Sequence, residues 1–129
     1  VFLEKRFGKW AEMAGIDEAR LLDTAVEAFA GQYEADLGGY LFKKRLAREG
    51  EGKSGGYRTI LCFRKGNEDR IFFLYGFAKG VKGNIDTLER KVLLKLGAGL
   101  LSATEAQIGA LLDKGLLTRI GETSDETEE

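Results

Sequence analysis

The chain has 129 residues, the size of one ordinary domain, with 20 basic and 21 acidic side chains, no His, no Pro and a single Cys. Without imidazole, serine and cysteine hydrolases that use a His base are excluded, as is His-ligated zinc, and one thiol forms neither an internal disulfide nor a Cys metal cluster. The charge is uneven: residues 40–91 carry thirteen basic and six acidic side chains between acidic ends, which suits an anionic partner or a solvated basic face.

In chain order, Val1–Lys5 reads as a short strand. Arg6–Ala14 has Phe7, Trp10 and Ala14 at helical spacing, with Gly15 as its stop. Asp17 is the expected N-cap of a second helix to about Tyr33, with Ala19, Leu22, Val26 and Phe29 as its apolar stripe. Gly38-Gly39 ends the helical region. Period two then takes over. Tyr40–Arg48 is a strand with Phe42, Lys44 and Leu46 on one face and Lys43, Arg45 and Ala47 on the other. Glu49–Gly56 is a charged, glycine-rich connection. Tyr57–Lys65 is a second strand of the meander, with Arg58, Ile60, Cys62 and Arg64 on one face. A turn at Gly66–Asp69 leads into Arg70–Ala78, apolar on both faces and so expected at the sheet centre under helices. Asn84 or Asp86 caps a third helix to about Leu101, with Leu88, Val92, Leu93 and Leu96 as its stripe. Ser102-Ala103-Thr104-Glu105 has the capping-box pattern and opens a fourth helix ending near Gly115. Leu116–Ile120 reads as a short strand. The whole is an α+β domain over residues 1–120, an antiparallel meander packed by N- and C-terminal helices, followed by an acidic tail at 121–129. One thiol, and no apolar run longer than Ile71–Ala78, point to a cytoplasmic protein with no membrane partner.

The residues able to carry chemistry are cations on strands. Lys43 and Arg45 project from one strand face, Arg58 opens the next strand, and Lys79 follows the third with Lys82 three residues on. Arg offers a planar fork to phosphate oxygens, and a Lys depressed by neighbouring cations serves as base on a ribose 2′-hydroxyl, with no metal and no cofactor required. Lys44, Arg48, Lys53 and Arg64 add charge for a nucleic-acid backbone. Tyr57 and Tyr75 are the aromatics expected at a wet edge, where they would stack bases. The same cations also fit a merely solvated face. Cys62, among Ile60 and Phe63, reads as a small buried hydrophobe.

Asp36-Leu37-Gly38-Gly39, Leu41-Phe42-Lys43-Lys44-Arg45-Leu46, Gly55-Gly56-Tyr57-Arg58-Thr59 and Phe72-Phe73-Leu74-Tyr75-Gly76-Phe77-Ala78-Lys79 with Asn84-Ile85 resemble the RelE/ParE toxin superfamily across about residues 1–120. The nearest pattern is a RelE-like branch with a GG[YF]RT strand and an FxxGFAK strand. The resemblance implies a RelE-like fold and a bacterial type II toxin: a metal-independent mRNA endoribonuclease that inhibits translation, acting on mRNA and the ribosome. Its partner is a cognate antitoxin, a small DNA-binding protein. By this resemblance Lys43, Arg45, Arg58 and Lys79 match the catalytic basic positions. Where relatives carry a second basic residue after that strand this chain has Gly80, with Lys82 in its place, and Asn84–Leu88 holds no Tyr. Two alternatives share the frame: a ParE-like non-nuclease acting on DNA gyrase, and an inactive member that only binds antitoxin.

Overall fold

The computed structural model describes residues 1–46, 56–67 and 69–121. The glycine-rich connection up to Gly55, with Arg48 and Lys53, lies outside the described residues, as do Glu68 and the acidic segment 122–129.

The elements run β1 (Phe2–Glu4), α1 (Lys5–Met13), α2 (Glu18–Phe29), β2 (Ala35–Gly38), β3 (Leu41–Leu46), β4 (Tyr57–Cys62), β5 (Phe72–Ala78), α3 (Thr87–Ser102), α4 (Glu105–Asp113) and β6 (Leu117–Arg119). They form an α+β fold on one six-stranded sheet of order β2-β3-β4-β5-β1-β6. The meander β2–β5 is antiparallel as expected. β1 joins it in parallel beside β5, and β6 closes antiparallel on β1, so the complete sheet is mixed.

Strand alternation divides the core in two. Phe42, Leu46, Tyr57, Leu61, Phe63 and Phe73 face α1 and α2. Leu41, Ile60, Cys62, Phe72 and Leu74 face α3 and α4. β5 has apolar side chains in both cores, which explains its continuous apolar sequence and its central position. Gly76 on β5 is where α1 comes closest, since a Cβ there would lie 2.3 Å from the Trp10 ring. Cys62 is fully buried, and burial pushes its thiol up to about 12, so it packs and does not react.

The helix ends follow cap chemistry. Glu4 and Asp17 accept the N–H groups of Phe7 and Arg20 at 2.9 Å. Asp86 and Glu89 form a full capping box on α3. On α4 the box is Thr104 with Gln107. Ser102 instead ends α3 and donates to the Ala98 carbonyl, so the expected Ser102–Glu105 box is displaced by two residues.

Both amphipathic faces turn from their expected phase. α2 buries Leu21, Thr24, Ala25 and Ala28, while Ala19 and Val26 face solvent. It also ends at Phe29, with Gly31 in the left-handed region, which frees Ala35–Gly38 to pair with β3 as an edge strand where none was expected. α3 buries Leu93, Gly97, Leu100 and Leu101, leaving Leu88 and Val92 71% and 57% exposed. Arg70, expected in a strand, precedes β5. Its guanidinium donates to the Leu100 and Ala103 carbonyls at 3.2 and 2.6 Å, satisfying the C-terminus of α3.

Candidate active site

The antiparallel register builds the site in rows. Lys43 on β3 stands opposite Ile60 on β4, and Ile60 opposite Tyr75 on β5. In the next row Arg45 stands opposite Arg58, and Arg58 opposite Phe77. The Lys79 N–H reaches the Gly56 carbonyl at 3.2 Å and continues the register to a third row. Directly opposed residues have Cβ atoms about 4.5–5.5 Å apart. Lys43, Arg45 and Arg58 therefore converge on one end of the α3 face, with Lys79 at its margin. The apolar half of the same face, around Ile60 and Cys62, lies under α3.

Each cation is held differently. Arg58 is 4% exposed, and its Nε meets the Glu34 carboxylate at 2.8 Å. Glu34 immediately precedes β2, and its own N–H bonds the Lys43 carbonyl, so the edge strand delivers this acid to the site. Lys43 Nζ donates to Asn84 Oδ1 at 3.4 Å, tying β3 to the approach to α3. Lys82 donates to Glu89 Oε2 in a short charged contact and to the Tyr75 hydroxyl at 3.5 Å. Tyr75 donates to the same carboxylate oxygen at 3.0 Å. The other Glu89 oxygen accepts the Asp86 N–H, so one side chain both caps α3 and binds the site.

These contacts set protonation. The Glu89 hydrogen bond raises the Lys82 ammonium above the ordinary lysine range. Lys82 in turn lowers Glu89. Tyr75 is raised, first by burial and then by its bond to Glu89. At neutral pH the trio is an ammonium, a carboxylate and a neutral phenol. Lys82 is therefore a fixed charge or a proton donor. A base made by depression beside other cations is not what Lys82 is.

Other expected site residues are elsewhere. Lys44 points to the α2 side and pairs with Glu27 at 2.9 Å. Tyr57 is not at a wet edge: it is buried, edge-on to Trp10, with its hydroxyl reaching the Ala14 carbonyl at 3.5 Å. Arg64 lies six residues beyond Arg58, about 20 Å along the strand direction, over the Tyr40 ring at the other end of the sheet. Tyr75 and Lys82 join the cluster. Glu34, Asn84 and Glu89 are the partners that sequence reading missed. Of these Asn84 was named as a candidate cap and Glu89 lies three residues after Asp86; Glu34 left no signal.

The model of a protein family described as the RelE toxin of the RelE/RelB toxin–antitoxin system matches residues 1–120. The chain belongs to this family. No curated protein matches it. As a RelE-family member the protein is a toxin of a toxin–antitoxin system, and an antitoxin is its implied partner. The mixed sheet and four helices are consistent with a RelE-like fold. The rows of cations in this RelE-family chain occupy strands on which the motif residues Lys43, Arg45 and Arg58 fall in register. Among the described residues no helix is long and apolar enough to cross a membrane.

Proposed function

We propose that this toxin is an endoribonuclease that cleaves mRNA without a metal and so stops translation, with the β3–β4–β5 end of the α3 face as its active site. The observation that carries the reading is the register opposition of Arg45 and Arg58, with Lys43 in the adjoining row. Arg45 can grip the non-bridging oxygens of a phosphodiester, and Arg58, buried and held by Glu34, adds its positive charge a strand away as negative charge accumulates on phosphorus.

In this scheme the ribose 2′-oxygen attacks the adjacent phosphorus. The P–O2′ bond forms and the P–O5′ bond breaks, leaving a 2′,3′-cyclic phosphate and a 5′-hydroxyl. Lys43 positions the attacking 2′-hydroxyl, whose proton passes to solvent water. Lys82, kept protonated by Glu89, supplies a proton to the departing 5′-oxygen. Lys79 adds charge at the margin of the face. Tyr75 is held by Glu89 and Lys82 beside the path of the RNA.

The test incubates purified chain with mRNA, with and without ribosomes and EDTA. Cleavage that persists in EDTA and disappears in the K43A/R45A/R58A variant supports the reading. Cleavage unchanged in that variant would sink the site. Growth arrest with intact mRNA and inhibited DNA supercoiling would replace the reading with gyrase poisoning.

A further inference from the structure

Arg58 carries a full positive charge at 4% exposure, and a charge so placed needs a standing partner. Across the strand pair it also faces Arg45, a like charge in direct opposition. Glu34 answers both needs. Its Oε1 lies 2.8 Å from Arg58 Nε, while another nitrogen of the same guanidinium donates to the Tyr57 carbonyl at 3.4 Å.

The two partners differ in access. The Glu34 side chain is 39% exposed, so its carboxylate comes to the buried guanidinium from solvent. Its place marks a route by which an oxyanion reaches Arg58. Glu34 lies between the helix stop at Gly31 and the four-residue edge strand β2, with its N–H bonded to the Lys43 carbonyl at 2.7 Å. That backbone bond is independent of the side chain, so the carboxylate can swing into water without moving β2 or the core. A carboxylate and the non-bridging oxygens of a phosphodiester offer a guanidinium the same pair of acceptors.

We propose that Glu34 is a resident counter-ion that an RNA phosphate displaces from Arg58. In the free chain the carboxylate keeps the buried guanidinium paired. When RNA docks along Lys43 and Arg45, a phosphate oxygen takes the carboxylate's position and Glu34 turns out to solvent. Arg58 is never left without an anion, and the phosphate must compete with a carboxylate already in place. RNA therefore binds less tightly than the site's cations alone would hold it. The exchange rests on the endoribonuclease reading and specifies how that site admits RNA.

The test measures binding of the purified chain to a single-stranded RNA with methylated 2′-hydroxyls, which cannot be cut, over a range of salt concentrations. Glu34→Gln keeps an amide oxygen for Arg58 Nε and removes the competing charge. It should bind this RNA at least threefold tighter than the parent. Its log–log salt slope should be steeper by about 0.7, the increment for one more phosphate neutralised on a single strand. Asp36→Asn removes an equal charge two residues along, keeps the oxygen that accepts the Gly38 N–H, and should leave the slope unchanged. On cleavable RNA the Glu34→Gln gain should appear as a lower KM. A slope unchanged in Glu34→Gln, or raised equally by Asp36→Asn, overturns the exchange, and EDTA-resistant cleavage by the parent would then leave the endoribonuclease reading standing. A Glu34→Gln chain that melts as the parent does but binds RNA more weakly also overturns it, making Glu34 a support for Arg58 and nothing else. If the parent neither binds nor cleaves RNA, the endoribonuclease reading fails and the exchange with it.

Discussion

The two faces of the sheet use the same residue types for different ends. On the α1/α2 face, aromatic rings and two helices close over the strands, and the one lysine that β3 sends there, Lys44, is 12% exposed and paired with Glu27. On the α3 face the helix covers only the half around Ile60 and Cys62, because α3 begins at Thr87, after the chain has turned past Lys79 and Lys82. The other half gathers Lys43 and Arg45, with Arg58 4% exposed and paired to Glu34. Adjacent cations in the sequence Lys43-Lys44-Arg45 thus meet opposite fates, decided by the pleat and by where a helix starts.

The largest expected effect breaks that contrast directly. Arg58→Ala should lower mRNA cleavage by about 10²–10³-fold, the range for deleting a donor aimed at developing charge. Lys44→Met, one strand away on the closed face, should leave cleavage within twofold and stability within about 1 kcal/mol, since a partly exposed pair contributes little. Equal losses in single-turnover cleavage would show that the faces are not functionally distinct. Because Glu34 would lose its partner in Arg58→Ala, a thermal melt of each variant separates lost chemistry from lost fold.

Next in size is a change that disturbs the closed face alone. In Gly76→Ala the new methyl would lie 2.3–2.8 Å from three atoms of the Trp10 ring, so α1 or the ring must move. About 2 kcal/mol of destabilisation is expected from such overpacking, read as a lower urea midpoint with unchanged slope. A wild-type midpoint would mean that Trp10 relocates freely and that the α1 face is less closed than its packing implies.

How much of this was legible in the sequence differs between the faces. Alternation put Lys43 and Arg45 on one face of β3 and Arg58 with Ile60 on one face of β4, the register then joined the two sets, and the apolar run of β5 placed that strand centrally. The helices were harder. α2 carries two competing stripes, and the one that packs is the small one, Leu21, Thr24, Ala25 and Ala28, because small side chains let the helix approach the sheet. Val26 lost that competition. α3 turned likewise, with Gly97 meeting Cys62 and Leu41. The contacts the acids make beside the cations could not be read from the sequence. Glu34 arrives on an edge strand whose four residues, Ala35–Gly38, look like the end of a helix followed by a turn, and Tyr40 beyond them takes a positive φ that its type does not advertise. Glu89 was readable as a cap, but its second oxygen is used only because α3 crosses above Tyr75.

The smallest expected effect sharpens the role of that second oxygen. In the folded chain Lys82 lowers Glu89 and Glu89 raises Lys82. A lowered carboxyl gives stability that is present above its unfolded pKa and lost as pH falls through the folded one. A raised ammonium gives stability present below the unfolded lysine pKa and lost as pH rises through the folded one. The pair therefore stabilises across neutral pH and fades at both extremes. Glu89→Gln keeps an amide oxygen for the Asp86 N–H but removes the charge. The stability difference from the parent should be flat between about pH 5 and 9 and shrink below about 4 and above about 11. The same substitution should lower the phenolate titration of Tyr75, since its bond to Glu89 is, after burial, what holds that phenol up. Chemical denaturation across pH reads the first effect and ultraviolet absorbance the second. If both profiles match the parent, Glu89 is a helix cap and nothing more, and the open half of the α3 face ends at Arg58. If both move, the open half extends through Tyr75 to the start of α3, and helix and site share one carboxylate.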